Sequence, residues 1–317
     1  MAEERIEVVY HKAAPGKRLL AHIIDIGLLF MSAVILFTIS NLIVNNSGLY
    51  QKNQEALISV RNESNLYINN VDAVTYVSDD ETFPTYEAKK NELSTRINNF
   101  YHNSTYFSND NVLKEYDQRK LSATRDSIHL FEEKDGVVVE RSVDNQYLFD
   151  FYSEEFKDRS LAYLVNNPYY FNLTRFTFLT SIIEAVSSLT ISFIIFYLVL
   201  PITCFKRGRQ TVGMKLEKVG IITVTAENAR AGKYVLRFLF MFFVFVPINF
   251  VSFLIPSFVS MGMMYMTKTN SSLANYVFND YMVDVTNQKI YYSALEREEV
   301  QNKLKEISIE NRDLRLK

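Results

Sequence analysis

The chain has 317 residues, 48% hydrophobic and 22% charged, with a formal net charge of −2 and a single cysteine. No nucleic acid is expected as a partner. One thiol excludes a disulfide framework within the chain, and the average composition conceals segments suited to two different solvents.

Residues 19–44 form the first apolar run. At 1.5 Å per residue it is long enough to cross a hydrocarbon core of about 30 Å. It is too long for the apolar region of a signal peptide and has no clear small-residue cleavage site, so it reads as an uncleaved anchor. Asp25 lies within it, seven residues after Arg18 and roughly 10 Å deeper. A carboxylate near the centre of a membrane helix costs on the order of 3 kcal/mol, so it is expected to face protein or water and to have a partner. Arg18, His22 and Asp25 are spaced i, i+4 and i+7, which places them along one helix face.

The polar stretch 45–174 has the length of a domain and is acidic, whereas the remainder is basic. Residues 86–101 and 109–121 read as amphipathic helices, the second capped by Asn109 or Asp110. Residues 129–142 place an Asp135-Gly136 turn between β-prone runs and read as a hairpin, and 149–166 returns to helix. A small α+β domain is expected. It has no metal-ligand cluster, nucleophile elbow or glycine-rich phosphate loop, and His102 and His129 read as isolated surface or packing residues. The lack of cysteine in this stretch fits a bacterial envelope, where the sequons at Asn62, Asn103 and Asn172 are chance matches.

A second apolar run covers 176–205 and carries Glu184 on a stripe with Thr177, Thr180, Ser187 and Ser188. Glu184 either continues a polar route or reaches back toward the interface near Arg175. The serines and threonines suit helix–helix contacts. The loop 206–233 then carries Lys206, Arg207, Arg209, Lys215, Lys218, Arg230 and Lys233, while Lys12, Lys17 and Arg18 precede the first run. The positive-inside rule puts both basic segments in the cytoplasm and the 45–174 insert outside.

The third run, 235–266, is long for one span and short for two, and Pro247 and Pro256 interrupt it with Asn249 and Ser252 between them. The tail carries Lys289, Arg297, Lys303, Lys305, Arg312, Arg315 and Lys317 among acids, and 293–296 forms a capping box opening an amphipathic helix. This basic content favours a cytoplasmic C-terminus. Four membrane segments are therefore expected.

Arg18-Leu-Leu-Ala21-His-Ile-Ile24-Asp25 resembles the R-x-x-A-x-x-I-D signature of the RDD family of bacterial integral membrane proteins. Gln210-Thr211-Val212-Gly213-Met214-Lys215-Leu216 resembles that family's G-Q-T-x-G-K-x-L loop, with Arg209 in place of the leading glycine and Met214 in place of its lysine. Arg237 resembles the arginine that follows the loop. The segment 279–284 resembles the closing H-D-x-x-A-G-T, with Asp280 at the aspartate and Asn279 in place of histidine. The resemblance covers the membrane part and leaves the insert uncovered. It implies no settled activity; transport of ions or small solutes, or an accessory role beside other membrane proteins, is what it suggests.

The fold class expected is an α-helical integral membrane protein of three to four transmembrane helices, with a small α+β extracytoplasmic domain inserted between the first two. The divisions are 1–44, 45–174, 175–286 and an amphipathic 287–317. Asp25 reads first as a structural anchor paired with Arg18, His22 or Arg237, and second as a proton or cation site. The candidate polar site is Arg18, His22, Asp25, Glu184, Arg237 and Asp280, with Thr211, Gly213 and Lys215 as the cytoplasmic loop motif. No nucleophile–base–orienter set can be assembled, so an enzyme is the least expected class, and no metal or other cofactor is implied. An accessory or regulatory scaffold in a bacterial plasma membrane is expected, in contact with the lipid bilayer, binding an envelope protein through 45–174, and able to form a homo-oligomer. Transport of a cation, proton or small solute past Asp25 is the alternative.

Overall fold

The computed structural model describes residues 10–102, 105, 111–266, 271–287, 289–300 and 302–303. It divides into two compact units, one of Met1–Ser40 with Glu184–Lys317 and one of Asn41–Ile183. Helix α1 (Pro15–Asn45) opens on a proline, whose missing N–H costs nothing in a first turn. Its buried residues are Arg18, Ala21, Asp25, Leu29 and Ala33, whereas Leu20, Ile23, Ile26, Phe30 and Met31 are exposed. The charged groups Arg18 and Asp25 face inward among small and apolar residues while large apolar side chains face outward, the arrangement of a helix surrounded by hydrocarbon. Three helical stretches among the described residues are long and apolar enough to cross a membrane: Pro15–Asn45, Pro168–Thr203 and Ala231–Val251.

The Asn41–Ile183 unit is mainly helical, with three two-stranded ribbons. Helix α2 (Gly48–Glu63) is capped by the Ser47 hydroxyl, which accepts from Tyr50 N at 3.4 Å. Strands β1 (Tyr67–Ile68) and β2 (Val71–Asp72) pair antiparallel, and Asp72 then caps α3 (Ala73–Asp79). Helices α4 (Tyr86–His102) and α5 (Val112–Ser122) follow, then the short ribbon of β3 (Thr124–Arg125) and β4 (Ile128–His129). The expected caps at Asn109 and Asp110 and the sequon at Asn103 lie outside the described residues. Strands β5 (Phe131–Lys134) and β6 (Val137–Glu140) are joined by Asp135 and Gly136, both at positive φ (+50° and +76°). This left-handed pair matches the right-handed twist of a two-residue hairpin.

Helix α6 (Asn145–Glu155) passes through a π turn at Phe156–Ser160 into α7 (Leu161–Asn166). Leu93, Ile97 and Phe100 of α4 meet Tyr116, Phe131, Leu148 and Tyr152 in one buried cluster. Within it, buried Glu155 accepts from the Tyr101 hydroxyl at 2.6 Å and from Arg119 at 2.7 Å. Burial first, and the Glu155 charge second, push the Tyr101 hydroxyl well above its ordinary titration range.

Helix α8 (Pro168–Ile194) runs through a π turn at Ile195–Val199 into α9 (Leu200–Thr203). Pro201 lacks the N–H that an α-helix would aim at the Tyr197 carbonyl. That carbonyl accepts the Tyr234 hydroxyl at 3.0 Å, so the interrupted turn stays satisfied away from water. Next come α10 (Val212–Leu216), β7 (Val219–Thr223) and α11 (Ala231–Phe240). A third π turn, Met241–Phe245, leads into α12 (Val246–Val251) and, like the turn before Pro201, precedes a proline, Pro247.

The third apolar run is not one helix. Phe253 and Leu254 sit at φ +50° and +68°, which ends α12, and a new helix α13 (Ile255–Met266) begins. Asn249 braces the break: its amide donates to Phe245 O at 2.8 Å, and its oxygen accepts from Ser257 N at 3.0 Å in the first turn of α13. Twelve residues rise only about 18 Å.

Helix α14 (Leu273–Phe278) is capped by Ser272 and ends on Asn279 at φ +48°, and β8 (Asp280–Asp284) follows. It pairs antiparallel with β7, from Val219↔Asp284 to Thr223↔Asp280. On its other edge Ala13 N donates to Met282 O and Asp284 N donates to His11 O. Lys17 bonds Asp284 at 2.6 Å; with Thr286, it holds that carboxyl down at about 2. Strand β8 therefore lies between β7 and residues 11–13, so the chain that leaves β7 must come back to the same end. Of the tail, 294–300 are helical; Glu296 N donates to Ser293 Oγ at 3.3 Å, one of the two bonds of a capping box, while the Glu296 carboxylate accepts from Tyr292 N at 2.7 Å. Lys305, Arg312, Arg315 and Lys317 lie outside the described residues.

Candidate functional site

Thr211 ends the turn after α9, with extended backbone, and caps α10: its hydroxyl accepts from Met214 N at 3.3 Å. The same hydroxyl donates to Asp25 Oδ2, and Gly213 N donates to Asp25 Oδ1 at 2.7 Å. Asp25 is 0% exposed, and both its oxygens are taken by one short loop 186 residues away in sequence. A carboxylate receiving a hydroxyl and a backbone N–H is held by charge-assisted hydrogen bonds, the stronger kind.

The small residues of the motif make this approach possible. A Cβ built on Gly213 would stand 2.1 Å from Ala21 O and 3.0 Å from Asp25 Cγ. Ala21 is itself buried and lies one turn before Asp25, where a larger side chain would occupy the loop's place. Ala21, Asp25, Thr211 and Gly213 thus form a single clasp between α1 and α10.

The expectation that Asp25 pairs with Arg18, His22 or Arg237 is corrected here. Arg18 is buried, and its guanidinium reaches Met282 O of β8 at 3.4 Å. His22 is half-buried on the same helix and takes no part in the Asp25 hydrogen bonds. Arg237 is committed to Asp280 Oδ2 at 3.1 Å and to Asn275 Oδ1 at 2.7 Å. Hydrogen-bond donors of the loop, not cations, satisfy the carboxylate.

Asp280 is the centre of the second cluster. It is 2% exposed and meets two cations, Arg237 and Lys233, the latter at 2.8 Å from Oδ1. The Lys233 contact is an ion pair without hydrogen-bond geometry at Oδ1. Asn275 escaped the sequence reading, and Lys233 entered it only as a charge of the basic loop, not as a partner of Asp280. Lys233 stands four residues before Arg237, one helical turn on the same face, and that spacing is the signal that could have found it.

Glu184 is buried rather than turned outward, and with Ser188 and Ser192 it makes a buried line at four-residue steps along α8. Ser187, three residues on, is exposed and off that line. Lys215 is exposed at the end of α10, away from the clasp. The structure therefore joins Asp25 to Thr211 and Gly213, joins Asp280 to Arg237, and connects Arg18 to β8 through a carbonyl. Comparison of the chain with protein-family models, with curated proteins and with solved structures finds no match.

Proposed function

We propose that this chain is a multi-pass protein of a bacterial plasma membrane, related to the RDD family, whose helical part serves as a scaffold. Its 41–183 unit is held outside to bind an envelope protein. The observation that carries the scaffold reading is the occupancy of Asp25. A carboxylate that relays a proton or a cation must exchange partners, whereas this one is sealed from solvent and gives both oxygens to a loop. Such a group fastens elements together. The separately packed 41–183 unit, with its own buried aromatic cluster, supplies a surface for a partner.

The strand pairing supports an even number of crossings. Strand β7 precedes α11 and β8 follows α14, yet the two lie side by side and next to residues 11–13. The chain from 231 to 279 is then an excursion out and back, with α13 on the return. With α1 and the 168–203 helix, this reading has four segments, and the positive-inside rule then assigns both termini to the cytoplasm. Single cysteines at Glu81 and Glu298, in a Cys204→Ser background, test the arrangement. An impermeant thiol reagent on whole cells should label position 81 and spare 298. Labelling at 298 would rule out the return.

A second reading is transport, favoured by the buried line of Glu184, Ser188 and Ser192 in a helix of lipid-crossing length. Affinity purification of the full chain from its native membrane separates the two. The scaffold reading expects a stoichiometric envelope protein, lost when the 41–183 unit is excised. Recovery of the chain alone as a homo-oligomer, together with cation flux in proteoliposomes, would replace it with transport.

A further inference from the structure

A cleft of about 450 Å³ opens between the turn after α9, the end of α10 and the segment that follows β8. Arg207, Lys215 and Lys289 converge on it from three separate stretches of chain, beside Gln210, Thr286 and Asn287. The volume lies in the range of small-molecule sites and exceeds what a bare inorganic anion fills.

Among the described residues, the cations of this cleft outnumber the acids that pair with them. Glu296 is the acid close by: it bonds Arg207 at 2.9 Å and stands 3.7 Å from Lys289. One carboxylate therefore serves two of the three cations. Lys215 has no described acid within ion-pair distance. Gathering like charges around a concavity raises the free energy unless an anion joins them, and clefts lined by one sign of charge concentrate the opposite ion.

Two features hold the cleft ready. The Arg207 guanidinium lies 4.8 Å from the Tyr292 ring centroid while it bonds Glu296, so its position is set from two sides. Gln210 is buried and donates to Val219 O at 2.7 Å, which fixes the wall shared with β7. The bland account is that these cations only orient the chain in the membrane. That account needs basic residues somewhere in the loop; it does not need two of them facing one cavity with a third, Lys289, that lies outside the loop.

We propose that this cleft is a binding site for a phosphate group, carried by an anionic phospholipid or by a soluble phosphate ester. Arg207 and Lys289 engage its oxygens together with Lys215, and Thr286 and Asn287 offer polar contacts at the rim. The site goes beyond the scaffold reading and does not depend on the identity of any envelope partner. It stands on the same loop as the clasp: Lys215 ends the helix that Thr211 caps, so an occupied cleft would hold α10 in place.

The test uses the full chain, purified in a neutral detergent, with two probes. Mixed micelles containing phosphatidylglycerol are compared with phosphatidylcholine, and inorganic phosphate is compared with chloride at equal ionic strength. Binding is read by native mass spectrometry and by melting temperature. Retention of phosphatidylglycerol over phosphatidylcholine without a phosphate effect assigns the site to lipid; a melting shift with phosphate assigns it to soluble esters. Either result supports the site if the cleft residues carry it. Near a membrane surface each cationic side chain contributes about fivefold in binding, so Lys215→Gln with Lys289→Gln should weaken the effect roughly 25-fold. Lys206→Gln, an exposed cation outside the cleft, should leave it unchanged. Equal behaviour of all probes, or equal loss in Lys206→Gln, would overturn the proposal.

Discussion

Replacing Gly213 with alanine is expected to be the most damaging small substitution in this protein. The added Cβ would lie 2.1 Å from Ala21 O and 2.9 Å from Ala21 C, both backbone atoms of a helix that cannot step aside. The loop must withdraw, and withdrawal breaks the bonds from Gly213 N and the Thr211 hydroxyl to Asp25. A hydrogen bond to a charged group is worth about 1.5–3 kcal/mol, and forced overpacking costs about 1–3 kcal/mol. A loss on the order of 4 kcal/mol follows, read as a lower melting temperature in detergent and a lower steady-state level. Gly232 is the internal control. It lies in α11 with nothing within 4 Å of its Cβ position, so Gly232→Ala should be neutral or gain about 0.5–1 kcal/mol of helix stability. If Gly213→Ala melted with the wild type, the clasp would not exist. Asp25→Asn should show a smaller loss, because one amide oxygen still accepts while the NH₂ faces a donor. Adding Arg18→Gln should not repair that loss, since Arg18 bonds Met282 O and not Asp25.

Asp280→Asn is expected to come next. The substitution leaves Arg237, itself 9% exposed, and Lys233 without their counter-charge. Breaking one side of a buried ion pair costs about 3–5 kcal/mol, whereas exchanging both partners for apolar groups of similar volume is often close to neutral. Lys233 is one-third exposed and can turn to water, so most of the penalty falls on Arg237. The double variant Asp280→Asn with Arg237→Met should therefore recover a large part of the stability lost by Asp280→Asn alone. A double variant that melts at the sum of two independent losses would mean that Asp280 and Arg237 are not coupled. The substitution also tests the β7–β8 pair, because Asp280 opposes Thr223 at the end of that ladder.

Several features could be read from the residues alone because their cause is local. The two-residue hairpin turn follows from Asp135-Gly136, which tolerate positive φ. The long apolar helices follow from runs of residues that can all face hydrocarbon. Asp25 declared itself because a carboxylate in such a run needs a partner, whatever that partner proves to be. The Ser293–Glu296 bond expected of a capping box likewise depends on a three-residue interval and no distant contact.

What answers Asp25 was not legible, because the nearest cations in sequence and along the helix face are the intuitive partners. The donors come instead from Thr211 and Gly213, and only the folded chain brings them there. The β7–β8 ladder was hidden for a similar reason. Its strands are five residues each and about 60 residues apart, too short to stand without the helices that bring their ends together. The break at Phe253 and Leu254 was ambiguous because two prolines in a long apolar run permit a kink, a hairpin or a new helix. Asn249 decides among them by bonding across the break to Ser257. By itself, then, the sequence determined which segments suit lipid and which suit water, since both follow from side-chain chemistry read along the chain. The tertiary structure alone decided which polar group satisfies which buried charge, because that depends on distances between residues that share no local pattern.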